Sequence, residues 1–125
     1  MSAVSASVVL PASVHDAESL WYDTDLWPGW VDGLQDVLAV QGEWPQSGAV
    51  VVWVSGPAGR GQVTERVLSY EQLHGQTLEV DDDAVHGVQM VSFTPLDDGV
   101  EVNLRLEYRI KKRSLVTPSD APALP

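Results

Sequence analysis

The sequence predicts an α+β domain, an antiparallel sheet of about seven strands with two short helices after the first strand. Three observations carry this. The run 100–111 alternates apolar and polar residues throughout, the period-two signature of a half-buried strand. The runs before it are joined by loops of a few residues, which suit hairpins and are too short for parallel crossovers. Only between positions 13 and 31 does the apolar period lengthen to that of a helix.

The first strand is read from Val4, Ala6, Val8 and Leu10, which alternate with serines and Val9. Ser13 is a candidate N-cap, and Val14, Ala17, Leu20 and Trp21 fall on one helical face, with Asp16 and Glu18 in the favourable first turn. Trp27-Pro28-Gly29-Trp30-Val31 begins a second, very short helix. Pro28 occupies its first turn, where the missing amide is tolerated, and Asp25 is the candidate cap. Further strands follow at 34–43, 48–55, 61–70, 76–82 and 86–94, rich in Val, Leu and Thr and separated by Gly- and Pro-bearing turns. Asp98-Gly99 is expected to supply the positive φ of a tight hairpin before the last strand. There Val100, Val102, Leu104, Leu106, Tyr108 and Ile110 form the apolar face.

A chain of 125 residues, 44% hydrophobic, has the size and apolar content of one domain. Eighteen acids against seven bases give a formal charge of -11, which repels phosphate backbones and anionic membrane surfaces. Neither nucleic acid nor membrane is expected as a partner. Arg105, Arg109, Lys111, Lys112 and Arg113 hold five of the seven bases and read as a solvated strand face and its end. There is no cysteine, which excludes disulfides and thiolate chemistry. No secretory signal or membrane span is legible, so a soluble, cytoplasmic protein is expected.

Four stretches carry a family resemblance: Val8-Val-Leu-Pro-Ala-Ser-Val14, Trp27-Pro-Gly-Trp30, Gly48 before the third strand, and Phe93-Thr-Pro-Leu-Asp-Asp-Gly-Val100. In this order, over about residues 3–113, the chain resembles the START/Bet v 1-like (SRPBCC) superfamily, in particular its polyketide cyclase/dehydrase-like branch. The resemblance implies a helix-grip fold, in which a curved sheet grips a long C-terminal helix around a mostly apolar cavity. It divides the chain into a ligand-binding domain at 1–113 and a Pro-rich tail at 114–125. In that tail 117–120 looks like the run-up to a helix, so the long helix is expected to be absent or truncated. The sheet face it would cover is then expected either to stay open as an apolar groove or to pair in a homodimer.

The residues themselves argue against several chemistries. His15, His74 and His86 have no metal-ligand spacing, and Asp81-Asp82-Asp83 lacks the alternate-position pattern of a calcium loop and reads as a solvated turn. The glycines of 56–61 lack the Lys-Ser/Thr of a phosphate loop. No nucleophile elbow is present. No cofactor or metal is expected. Glu65, Arg66, Tyr70, Glu79 and His86 lie on strands and Tyr108 on the last, where inward members could move protons; no catalytic set is assigned. The candidate ligand-binding residues are Trp30, Trp53, Met90, Phe93 and Tyr108. Trp27 and Trp30 are either core plugs or, for one of them, a cavity-mouth residue that stacks on a flat ligand. The expected function is binding of a hydrophobic small molecule, polyketide-, lipid- or quinone-like. Two alternatives stand beside it: a polyketide cyclase/dehydrase working by general acid-base catalysis, and a protein-interaction domain of the same fold.

Overall fold

A computed structural model describes residues 2–56 and 61–111. The strands are β1 (Ser2–Leu10), β2 (Leu34–Gln41), β3 (Val50–Ser55), β4 (Gln62–Glu71), β5 (Gly75–Asp81), β6 (Val85–Leu96) and β7 (Gly99–Ile110). Between β1 and β2 come α1 (Val14–Tyr22), a 3-10 turn (Thr24–Leu26) and α2 (Trp27–Trp30). The strands form one antiparallel sheet in the order β1-β7-β6-β5-β4-β3-β2. From β2 onward the chain meanders between neighbours, and only β1 crosses over, to pair with β7 along its whole length. The tail at 114–125, with the helix run-up read at 117–120, lies outside the described residues, as do Lys112 and Arg113.

Pairing register decides which side chains face the helices. Glu65 lies opposite Val80, Leu78 opposite Gln89 and Gln89 opposite Leu106, so all of these share the concave face. Bulges between Leu34 and Asp36, between Val37 and Ala39, and between Val67 and Ser69 add local bend and twist to the sheet. Two apolar clusters result. One joins Trp27 and Leu34 to Val51, Trp53, Val63, Val67, Leu78 and Val80; the other joins Ala17 of α1 to Val91, Phe93, Val100 and Val102. Each large side chain so buried contributes roughly 1.5–3 kcal/mol of transfer free energy.

In α1 the Ser13 hydroxyl accepts from the Asp16 amide at 3.0 Å, the expected N-cap. Its inward face differs from the expected one. Val14, Ala17, Glu18, Trp21 and Tyr22 turn toward the sheet, whereas Leu20 is 48% exposed. Glu18 is not a solvated first-turn acid: its buried carboxylate accepts from the Leu73 amide at 2.7 Å. That bond anchors the β4–β5 turn, where Leu73 holds a φ of 66°. Asp25 does not cap α2 either. Asp23 accepts from the Asp25 amide at 3.2 Å and caps the 3-10 turn, which runs directly into α2.

Two turns also differ from expectation. Asp97 and Asp98 make the β6–β7 turn with no positive φ, and Gly99 is not among the left-handed glycines. Gly99 is needed for another reason: a Cβ there would strike the Leu10 carbonyl of β1. Asp82 is buried rather than solvated, its Oδ1 accepting from the amides of Ala84 and Val85 at 2.7 and 2.8 Å and so closing the β5–β6 turn.

Coverage of the β7 face grades along the strand. Val100 and Val102 are buried beneath α1, Leu104, Leu106 and Tyr108 are half-buried, and Ile110 is 72% exposed. Val4 and Val8 of β1 are exposed beside them. Among the described residues no helix is long and apolar enough to cross a membrane.

Candidate ligand cavity

Where α2 and the turn after it close over the sheet, a cavity of about 170 Å³ remains. All five tryptophans of the chain, Trp21, Trp27, Trp30, Trp44 and Trp53, line it. The local sequence explains the convergence. Pro28 and Gly29 keep α2 to four residues, which sets Trp27 and Trp30 at its two ends. Trp27 faces inward and is buried, while Trp30 is 43% exposed where the cavity meets solvent. Trp21 reaches Trp30 from the last turn of α1, with ring centroids 5.4 Å apart. Trp44 meets Trp27 edge-to-face at 5.7 Å, and Trp53 rises from β3.

Three of the five polar edges are tied down. The Trp27 indole donates to the Trp21 carbonyl, the Trp44 indole to the Tyr22 carbonyl and the Trp53 indole to Glu65 Oε2, each at 2.9 Å. These bonds fix ring orientation and leave aromatic faces for an occupant. The polar side chains of the wall are Asp32, Glu65, Gln76 and Gln89. Gln76 donates from Nε2 to the Pro45 carbonyl at 3.1 Å, while its buried Oε1 has no partner. The floor is Leu78, Val80, Leu104 and Leu106.

The sequence candidates separate on this geometry. Trp30 and Trp53 line the cavity; Phe93 lines a neighbouring hollow of about 100 Å³ that shares the Trp21 and Trp30 wall. Tyr108 shares the cavity face one inward position beyond Leu106 but does not line the cavity. Met90 lies on the other side of the sheet. Opposite Arg105 in the register, it borders a shallow depression with Ser5, Ser7 and Asn103. A strand's side chains alternate, so Met90 and Phe93 on one strand cannot share a face. The same rule removes His86 from the cavity. It sits on the outer face, with Nδ1 at 3.2 Å from Asp81 Oδ1 and Nε2 at 3.6 Å from Glu79 Oε2. Lys111 adds an ion pair to Asp81 at 3.0 Å, and the hydrogen bonds from Lys111 and then His86 hold the Asp81 carboxyl below its usual range.

Of the acid-base candidates, Glu65 alone lines the cavity. Tyr70 packs at its back instead, its ring 5.5 Å from Tyr22. Burial first, then the Glu18 carboxylate and Tyr70, push the Tyr22 phenol well above its ordinary range. Trp21, Trp44, Gln76 and Gln89 were not among the sequence candidates. For the glutamines a signal exists: each interrupts an otherwise apolar inward phase, Gln76 before Leu78 and Val80, and Gln89 before Val91 and Phe93. Among the described residues no three His, Asp or Glu side chains are grouped to hold a metal.

A seven-stranded antiparallel sheet curving around two short helices, with a cavity between the layers, is the Bet v 1-like, START-type fold. The chain belongs to the polyketide cyclase / dehydrase and lipid transport family, matched over residues 1–125. No curated protein sequence matches it. Among solved structures it is similar to a START superfamily protein from Mycobacterium smegmatis, at TM-score 0.72 and 19% identity over 88% of this chain and 78% of that one. It is also similar to norcoclaurine synthase from Thalictrum flavum, at TM-score 0.70 and 13% identity over 88% and 76%. A protein from Deinococcus radiodurans aligns at TM-score 0.64 and 20% identity over 87% and 83%. At these identities the likeness is one of fold.

Proposed function

We propose that this protein binds a hydrophobic small molecule of about single-ring size in the tryptophan-lined cavity. Family and fold support hydrophobic ligand binding in general. The observation that carries the finer reading is the convergence of all five tryptophans on one cavity. Core packing needs no such convergence, whereas aromatic faces around a hollow suit a flat apolar occupant. Size narrows the class. Drug-sized ligands occupy roughly 300–1,000 Å³, and a cavity of roughly 150 Å³ holds benzene. At about 170 Å³ the present cavity takes one ring, and a fused polyketide or quinone would have to project past Trp30.

Intrinsic tryptophan fluorescence, titrated with toluene, benzylamine, naphthalene and anthraquinone, tests this reading. A saturable change with the single-ring compounds that weakens in Trp30→Ala is the expected result. Absence of any saturable response to them overturns it.

A cyclase/dehydrase reading draws support from Glu65, whose buried carboxylate is oriented by the Trp53 indole at the cavity wall. A carboxylate in that setting can take a proton from carbon next to a carbonyl. Turnover of a polyketone that disappears in Glu65→Gln while the substrate still binds would support it. Unchanged turnover would exclude Glu65 as the base.

A further inference from the structure

The two edges of the sheet, β1 and β2, are not alike. β2 carries Asp36 and two bulges that break its register against β3, which are devices by which natural edges resist pairing with another chain. β1 has neither. Its nine residues hold an unbroken register against β7, include no charged residue, proline or glycine, and are exposed from Ser2 to Val9. Among the described residues nothing pairs with its outer edge, so backbone N–H and C=O groups there can take another strand. Charge favours contact at the same place. A chain of formal charge -11 repels its own copies, and the repulsion is least where carboxylates are missing or balanced. Beside β1, the strand β7 carries Glu101 and Glu107 against Arg105 and Arg109, so its own charges cancel.

The sequence of β1 also matches itself. Laid antiparallel on a second copy about Ala6, Ser5 meets Ser7, Val4 meets Val8, Ala3 meets Val9 and Ser2 meets Leu10, so that all nine residues are used. Val4 and Val8, 54% and 50% exposed, lie on the concave side opposite Leu106 and Val102, and the serines at 5 and 7 lie on the outer side. A slip of one residue would turn the second copy's concave face outward and set valine against serine. From these observations we infer that β1 is the interface of a twofold homodimer. Two copies pair β1 to β1 with Ala6 on the axis, which joins their sheets into one continuous sheet and sets Val4 of each against Val8 of the other. The guarded β2 edge does not repeat the contact, so the assembly closes at two copies. This inference is independent of what the tryptophan-lined cavity binds.

Sedimentation velocity of the full 125-residue chain, over about 1 µM to 500 µM, is the first half of the test. A concentration-dependent monomer–dimer equilibrium is expected. A chain that stays monomeric throughout overturns the inference, whether residues 112–125 cover the edge or nothing does. Species larger than a dimer overturn the closed pair. The second half reads the axis. Ala6 is exposed, so Ala6→Lys and Ala6→Glu can each fold, yet each sets two like charges directly opposite one another across the axis. Each variant alone is expected to dimerise at least about tenfold more weakly than the unaltered chain. Ala6→Lys does so although it lowers the net negative charge, which a general charge effect would not produce. An equimolar mixture of the two variants sets opposite charges at the axis and should recover dimer. Variants that dimerise as tightly as the unaltered chain overturn the β1 seam, and a mixture no tighter than its components overturns the register centred on Ala6.

Discussion

Leu78 sits at the centre of the sheet between Val67 of β4 and Gln89 of β6, buried with the floor of the cavity. Replacing it with alanine opens space in the cluster that also holds Trp53 and Val80, and is expected to cost about 2–5 kcal/mol in a denaturant melt. A loss below about 0.5 kcal/mol, the scale of surface changes, would mean the core is not packed as described. Tyr22 makes the opposite case. Its hydroxyl is buried without a partner, so Tyr22→Phe removes an unmet polar group and keeps the ring contacts with Trp44, Tyr70 and Phe93. The variant is expected to melt at the same temperature or higher, and a clear drop would reveal a hydrogen bond the structure lacks. The inward position of Trp53 was legible from strand alternation, whereas Glu65 stood among several strand residues with no face assigned. Met90 was misread because β6 carries apolar residues on both faces, Met90 and Val88 outward against Val91 and Phe93 inward, and alternation alone gives no absolute phase.

At the scale of elements, α1 is short and depends on its ends. It has nine residues and one side-chain cap, the Ser13 hydroxyl on the Asp16 amide. Ser13→Ala should lower stability by about 1 kcal/mol, within a range of roughly 0.5–2 kcal/mol, and Ser13→Asp should restore most of it. Thermal melts of the two variants check this, and equal stabilities would show that the cap is not formed. Helix positions and the meander from β2 to β7 were readable because caps, prolines and short loops are local signals. What was not readable came from across the chain. Glu18 looks like an ordinary first-turn acid, and only the approach of the β4–β5 turn, some fifty-five residues away, makes it a buried acceptor for Leu73. Gly99 likewise reads as a turn residue until β1 is laid against β7. Gly87 is a similar case: a Cβ there would meet the Glu107 carbonyl at 2.6 Å and Tyr108 Cβ at 3.0 Å, so Gly87→Ala is expected to destabilise the β6–β7 pair.

For the whole molecule, titration joins packing to stability. The Tyr22 phenol is held protonated in the fold by burial and by the Glu18 carboxylate, above its ordinary value of 10.0. Its folded pKa is raised, so the folded state binds the proton more tightly than the unfolded chain does. That contribution is complete below pH 10.0 and is lost as pH rises beyond it. Stability should therefore fall on the alkaline side of about pH 10, and Tyr22→Phe should flatten that limb. Asp81 acts at the other extreme. Its carboxyl is held low by Lys111 and His86, so its small, solvent-screened contribution fades only as pH drops below the ordinary carboxyl value of 3.8. The sheet and helix pair hold a hollow between them whose walls gather every tryptophan in the sequence. Nitrogen–proton correlation spectroscopy of the five indole N–H groups, titrated with benzylamine and then with toluene, measures directly whether that hollow is the ligand site. The account predicts saturable shifts at Trp21, Trp30 and Trp53 that share one affinity, with the outer-face Arg105 side-chain Nε–H unmoved. Indole signals that stay in place while ligand binds elsewhere, or while none binds at all, would contradict it.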